Sequence, residues 1–193
     1  MVNLQMPEIE TSRLYLRGLE LADAIDIYEY YHLAEATCFL STPRHRSVDE
    51  TLHMLQAYEL PYNRRNEPQT WVLEEKASGR VIGHMCIHTV IDDYAEIAYI
   101  LHPAYWHQGY INEALPYLLE VGFTQLQLRR LTAYVAIENR NSIHVLERAG
   151  FRYEGTLKEA MRLSDGKYHD MMLFAILKRE WRKKHEKDIR SKI

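Results

Sequence analysis

Between an apolar stretch and a stretch with helical spacing, the chain carries His107, Gln108, Gly109, Tyr110, Ile111 and Asn112. Gly109 is the only glycine between Gly83 and Gly122, and no acid appears in this run before Glu113. A helix amino end leaves about four backbone N–H groups unpaired and carries roughly half a positive charge. A phosphate placed there needs no side chain, provided the approaching backbone is uncluttered and free to turn left-handed. The hexapeptide is therefore a candidate diphosphate cradle, although a tight strand-to-helix turn would call for the same glycine. A second helix mouth follows at "ENRNS", where Asn139 and Ser142 precede another helical pattern. Ser142 is a natural N-cap there, and its hydroxyl is also a candidate to face a reacting group. Glu96 interrupts the apolar run "YAEIAYIL". A half-buried carboxylate there could accept a proton through water. The same residue would serve equally well on an exposed strand face or in a structural hydrogen bond.

These residues need elements to hold them. "RLYLRGL" alternates as a strand does, and "ELADAIDIYEYYH" has helical spacing. "SVDETLHMLQAYEL" opens with Ser47 and Glu50, a capping box, and predicts a second helix. "TWVLEEK" and "RVIGHMCIHTV" form a hairpin around "ASG", and residues 94–102 are the next strand. A helix is predicted over 112–126, with Pro116 near its first turn, where proline is tolerated. Residues 129–137 read as a strand, and 142–150 as a short helix stopping on Gly150. A closing hairpin turns at "SDG". The order implies an α/β fold: one domain over 1–193 with a mixed sheet, a central parallel pair, flanking antiparallel hairpins and helices on both faces. Ligands of such sheets sit beyond the carboxyl ends of the parallel strands.

Composition narrows the class. The chain has 193 residues, 47% apolar and 26% charged, and only Cys38 and Cys86, with no CxxC pair. A disulfide framework or a zinc site is not expected, and neither HExxH, GxGxxG nor GxxxxGK[ST] is present. No metal site is expected. The amino terminus has no signal-like pattern and no apolar run approaches the ~18 residues of a membrane span, so a cytoplasmic protein with no membrane partner is expected. The net charge of −3 conceals a basic tail: residues 178–193 hold eight Lys or Arg against three acids. A solvated helix end is the expected reading of that tail, with a weak RNA or ribosome contact as the alternative, and no specific nucleic-acid partner is expected.

On "IETSRLYLR", "GRVIGHMCIH", "AEIAYILHPAYWHQGYINEAL", "ENRNSIHVLERAGFRYEG" and "SDGKYHDMMLFAIL", which cover nearly the whole chain in order, the protein resembles the GNAT superfamily of acyl-CoA-dependent N-acyltransferases. Within it the likeness is to the bacterial branch that acetylates the amino termini of ribosomal proteins. The resemblance implies direct attack of a primary amine on acetyl-CoA in a ternary complex, over a core at 94–151. It implies that the parallel strands splay and that Tyr99, Ile100 and Leu101 offer a backbone edge to the pantetheine arm, one N–H facing the developing oxyanion. His107, Gln108, Gly109, Tyr110, Ile111 and Asn112 would hold the pyrophosphate. Asn139 would bond the pantetheine amide or the acceptor, and Ser142 would approach the sulfur and protonate the leaving thiolate, directly or through water. Ser142 and Glu96 are thus the expected catalytic residues. The helices over 20–65 would form a substrate-side flap, with Trp71, Trp106 and Arg44 at its entrance.

Three positions depart from the family pattern. Ile111 stands where a small residue is common. Leu146 replaces a tyrosine that many members use as general acid. Met161 replaces a glutamate base, with Glu159 two residues away and on the same face if the strand is regular. An α-amine has a reference pKa near ~7.8 and lysine near ~10.4, a gap of about 3.5 kcal/mol, so the sparse acid-base set favours the α-amine of a protein or peptide as acceptor. A small amine (amino acid, amino sugar, antibiotic or polyamine) is the alternative acceptor. A non-catalytic acyl-CoA-binding sensor is the alternative of another class. A homodimer is compatible with the sequence, which does not specify one.

Overall fold

Leu14 and Leu16 alternate inward and are fully buried, which makes β2 (Leu14–Gly18) a strand with one face in the core. The computed structural model describes residues 6–60 and 68–183. A two-residue β1 (Ile9–Glu10) precedes β2 and pairs with it antiparallel. In α1 (Ala24–Tyr31) the buried set Ala24, Ile27, Tyr30 and Tyr31 repeats at helical spacing. A short α2 (Ala34–Thr37) follows, and then α3 (Val48–Met54), which continues as a π-helical turn over Leu55–Glu59. Ser47 caps α3 by accepting from the Glu50 N–H, while the Glu50 carboxylate accepts from the Arg46 N–H at 2.7 Å.

The sheet continues through β3 (Trp71–Glu75), β4 (Arg80–Ile91) and β5 (Tyr94–Leu101). After α4 (Tyr110–Glu120) come β6 (Arg130–Ala136), α5 (Arg140–Ala149), β7 (Arg152–Arg162) and β8 (Tyr168–Leu177). All eight strands belong to one sheet, in the order β1-β2-β3-β4-β5-β6-β8-β7. Among the described residues its only parallel pair is β5–β6. Inward residues of β5 and β6, among them Ile97, Leu131 and Val135, pack with Ile111, Leu115, Leu118 and Leu146 of α4 and α5. The opposite face buries Val72, Val81 and Ile100 against Ile27 and Tyr30 of α1 and Met54 of α3. The mixed α/β architecture with helices on both faces is as the residue patterns imply.

Three boundaries move. α4 begins at Tyr110, because Gly109 caps it in a left-handed conformation, so Pro116 is the seventh helical residue rather than part of the first turn. The ring has no N–H for the Asn112 carbonyl, and Pro116 lies on the exposed side of the helix. A π-helical turn over Val121–Gln125 follows. α5 begins at Arg140, so the cap is Asn139 and Ser142 is the third helical residue. β7 carries a register shift between Leu157 and Met161, with Glu159 at a positive φ of 46°. That bulge breaks the alternation which would have put Glu159 beside Met161 on one face, and Glu159 is exposed.

Trp71 corrects its expected place at the entrance. β3 is flanked by β2 and β4, and Trp71 is fully buried on the α4 side, its indole N–H donating to the Pro7 carbonyl at 2.9 Å. Arg44 is exposed on the loop before α3. Trp181, at the start of the basic tail, packs its ring against Phe123 with centroids 5.4 Å apart. The tail from residue 184 and the flap residues 61–65 lie outside the described residues.

Candidate active site

The two parallel strands part company early. Tyr94 pairs with Arg130, Ala95 with Leu131 and Glu96 with Thr132, and beyond them the β5–β6 ladder ends. β5 runs on to Leu101 beside β4, and β6 runs on to Ala136 beside β8. The two halves of the sheet therefore open between Ile97–Leu101 and Ala133–Ala136. His102 donates its N–H to the Ile82 carbonyl at 2.7 Å. Alternation along a strand then turns the Ile100 N–H toward β4 and those of Ile97, Tyr99 and Leu101 toward the opening. Of the three residues expected to offer an edge, Tyr99 and Leu101 face the gap with their backbone, and Ile100 is held in the β4 ladder. The Leu101 carbonyl accepts from the Trp106 indole at 2.8 Å, which fixes the turn out of β5.

Beyond that turn lies the first helix mouth. His102 accepts the Ala104 N–H on Nδ1 at 3.1 Å, and Gln108 donates from its side chain to the Ala104 carbonyl at 2.8 Å. His107, with φ of 60°, and Gly109, with φ of 81°, both adopt left-handed backbone. The intrahelical ladder starts with Glu113 N–H to Gly109 carbonyl at 3.0 Å. The amides of Tyr110, Ile111 and Asn112 therefore lie ahead of it, with no side-chain cap on them. A Cβ added at Gly109 would meet only the Arg13 Nη2 within 4 Å, at 3.8 Å. The Ile111 side chain is buried in the core with that of Tyr110 and does not cover the mouth. The open amides, the left-handed glycine and the adjacent guanidinium fit the diphosphate of an acyl-CoA.

Arg13 has no role in the sequence reading, yet it organises this mouth. Its Nη1 donates to the Gln108 carbonyl at 3.0 Å, and its guanidinium lies 4.1 Å from the centre of the Tyr110 ring. Its Nε pairs with the Glu113 carboxylate at 2.7 Å. Burial alone would push the Glu113 carboxyl up. Hydrogen bonds from the Thr11 hydroxyl, the Arg13 N–H and guanidinium and the Ser12 hydroxyl more than reverse this, down to about 2. The acid nearest the cradle is thus neutralised from the turn between β1 and β2. Tyr110 adds a bond to the Glu75 carboxylate at 2.5 Å, which lowers the carboxyl and raises the phenol.

At the second mouth Asn139 Oδ1 accepts the Ser142 N–H at 3.1 Å. Ser142 Oγ lies 2.8 Å from the Tyr99 phenol oxygen, so β5 and α5 are joined across the opening. Burial pushes the Tyr99 phenol up to about 12, against a smaller opposing effect of the Ser142 bond. Glu96 is three residues before Tyr99, hence on the other face of the sheet. It is half-buried, and its carboxylate accepts from the Tyr94 hydroxyl at 3.3 Å, which also accepts from Thr132 Oγ1 at 3.3 Å. Burial first, then Tyr94 and Glu96, raise the Tyr134 phenol on the same side. Phe39, Tyr134 and Met161 gather over the small cluster of Ala136, Leu163 and Met171 beside this face.

The sequence profile described as acetyltransferase (GNAT) domain matches residues 13–152. The chain belongs to the GNAT acetyltransferases. It is 32% identical over 179 residues to the uncharacterized N-acetyltransferase p20 of Bacillus licheniformis, covering 91% of this chain and 99% of p20. Two solved structures share the fold. The spermidine N-acetyltransferase of Vibrio cholerae, in complex with CoA and spermine, superposes with a TM-score of 0.75 at 26% identity over 88% of this chain and 98% of that one. RimJ of Mycobacterium smegmatis, in complex with CoA-disulfide, superposes at 0.75 and 25% identity over 86% of both chains. As a GNAT enzyme the protein is an acetyl-CoA-dependent acetyltransferase, and its acceptor is an amine. In this GNAT enzyme Leu146, on α5, is fully buried in the core. At this mouth the Tyr99 hydroxyl reaches that of Ser142 from 43 residues away, a juxtaposition that spacing along the chain does not signal.

Proposed function

We propose that this acetyltransferase acts on the α-amine of a protein or peptide, with Glu96 as the base and Ser142 facing the departing sulfur. The observation that carries the reading is the division of proton-handling groups between the two faces of one split sheet. Glu96, Tyr94 and Tyr134 lie on the face of α1 and α3, and Tyr99 and Ser142 on the face of α4 and α5. An amine entering from the first face meets a carboxylate, and the thiol leaves toward the second.

The open amides of Tyr110, Ile111 and Asn112, with Arg13 beside them, hold the diphosphate. The gap-facing N–H of Tyr99 or Leu101 donates to the carbonyl oxygen as it gains charge, the kind of bond whose loss costs ~3–4 kcal/mol. The amine nitrogen bonds to the carbonyl carbon, its proton passes through water to Glu96, and the carbon–sulfur bond breaks with the electron pair on sulfur. Asn139 is occupied as the cap of α5 through Oδ1, which leaves its amide N–H groups for the pantetheine arm or the acceptor. Roughly one α-amine in ten is neutral at pH 7, which suits a site with a single carboxylate base.

A second reading, a polyamine acceptor, draws on a different observation. Residues 20–60, which contribute α1 to α3, carry eight acids against two arginines. Such a surface attracts cations. Part of that charge is already spent, since Asp23 pairs with Arg17 at 2.7 Å and Asp26 with Arg80 at 2.9 Å. The α-amine reading is therefore preferred. Thiol release from acetyl-CoA with a panel of amino-terminal peptides, spermidine and blocked lysine decides between them. Faster turnover of peptides near neutral pH supports the α-amine, and faster turnover of spermidine overturns it in favour of the second reading.

A further inference from the structure

The bond between Tyr99 and Ser142 connects a strand to the helix that follows the neighbouring strand, at the level where the sheet has opened. We infer that Tyr99 is a positioning residue for thiol departure: its phenol donates to Ser142 Oγ and so turns the Ser142 O–H toward the sulfur. The inference rests on the reading of the split sheet as the acetyl-transfer site.

The direction of the bond follows from charge. At rest either hydroxyl can donate across the 2.8 Å contact. Once sulfur takes the electron pair of the breaking bond, a hydrogen bond from Ser142 to that anion is about twice as strong as a neutral one. Ser142 can offer its proton to sulfur and keep its link to β5 only if Tyr99 is then the donor. The phenol's second acceptor, the Ser142 carbonyl, is farther away at 3.4 Å.

Neither hydroxyl gives up its proton. A phenol held at about 12 is a weaker acid than a thiol near ~8.5, so transfer to the thiolate is disfavoured by about three-thousandfold. Ser142, an alcohol, is weaker still. The pair therefore steadies the thiolate by hydrogen bonding. The amine's proton leaves through Glu96, and the thiolate collects its proton from water. Of the two routes expected for Ser142, direct or through water, the proton takes the one through water. Tyr99 thus does not take over the general-acid role expected of a tyrosine at the place of the buried Leu146; it contributes a hydrogen bond only.

The test uses the full chain with CoA alone and reads the ionisation of the bound thiol by ultraviolet thiolate absorbance. In the wild type the bound thiol should ionise at lower pH than free CoA. Tyr99→Phe and Ser142→Ala should each weaken that ionisation about tenfold, and the double variant no further, because the phenol acts through the serine. In turnover, Tyr99→Phe should lower kcat about tenfold to a hundredfold with the KM for acetyl-CoA unchanged. Ser142→Thr, which keeps the hydroxyl, should retain most of the thiolate stabilisation. An unchanged thiol in Tyr99→Phe, or a Tyr99→Phe effect that persists undiminished in the Ser142→Ala background, overturns the inference. If Tyr99→Phe does not fold, the contrast between Ser142→Ala and Ser142→Thr decides, and equal thiol ionisation in the two overturns it. Failure of the wild type to bind CoA by calorimetry would instead sink the reading of the site itself.

Discussion

Glu113 is the most sensitive handle on the cradle, because one carboxylate ties the turn between β1 and β2 to the first turn of α4. Replacing it with glutamine keeps the volume and removes the charge that four donors from Thr11, Ser12 and Arg13 address at 2.5 to 2.9 Å. The carboxyl falls from its ordinary 4.5 to about 2 on folding. At ~1.4 kcal/mol per tenfold change, that linkage is about 3 kcal/mol of folding free energy. Its sign is set by the lowered value: the contribution is complete above the unfolded value of 4.5 and is lost as pH falls toward about 2. Urea unfolding of the wild type and Glu113→Gln at pH 7, 5, 4 and 3 should show a gap of about 3 kcal/mol at pH 7 that closes progressively below pH 5. The same variant should raise the KM for acetyl-CoA, since Arg13, released from Glu113, no longer holds the Gln108 carbonyl in place. A gap at pH 7 smaller than about 1 kcal/mol, or one that does not narrow in acid, would refute the account of the network.

Other outcomes follow from the same geometry. Gly109→Val places a β-branched side chain at a φ of 81°, a conformation costing an L-residue roughly 1–2 kcal/mol, and should raise the KM for acetyl-CoA at least about tenfold; an unchanged KM would mean the loop is not the diphosphate site. Glu96→Gln should lower kcat by about a hundredfold or more with little change in thermal stability, because glutamine can still accept from Tyr94; a loss of less than about threefold would remove Glu96 from the role of base. Leu146→Tyr, which restores the family's usual residue, should cost about 1–3 kcal/mol by overpacking a fully buried site and should not raise kcat, as urea unfolding and thiol release would show.

The order of strands and helices, the glycine before α4 and the polar mouth before α5 are all legible along the chain, because each depends on local periodicity or on a neighbour a few residues away. Family membership is legible for the same reason, carried by contiguous motifs such as "HPAYWHQGYINEAL". The start of α4 is less legible. Gly109 as a left-handed cap added two residues to the helix and put Pro116 in its interior, which composition alone does not foretell. What the chain could not declare is who meets whom across it. Arg13 finds the Gln108 carbonyl 95 residues on, and Tyr99 finds Ser142 43 residues on. Leu146 and Trp71 are ordinary in sequence and become core only because α5 and β3 are packed where they are. Local sequence determines which segments can form and which backbone amides stay open. Strand alternation alone sets Glu96 and Tyr99 on opposite faces, whereas the gap that joins those faces was decided by tertiary structure, because the β5–β6 ladder stops after three pairs and lets the strands diverge.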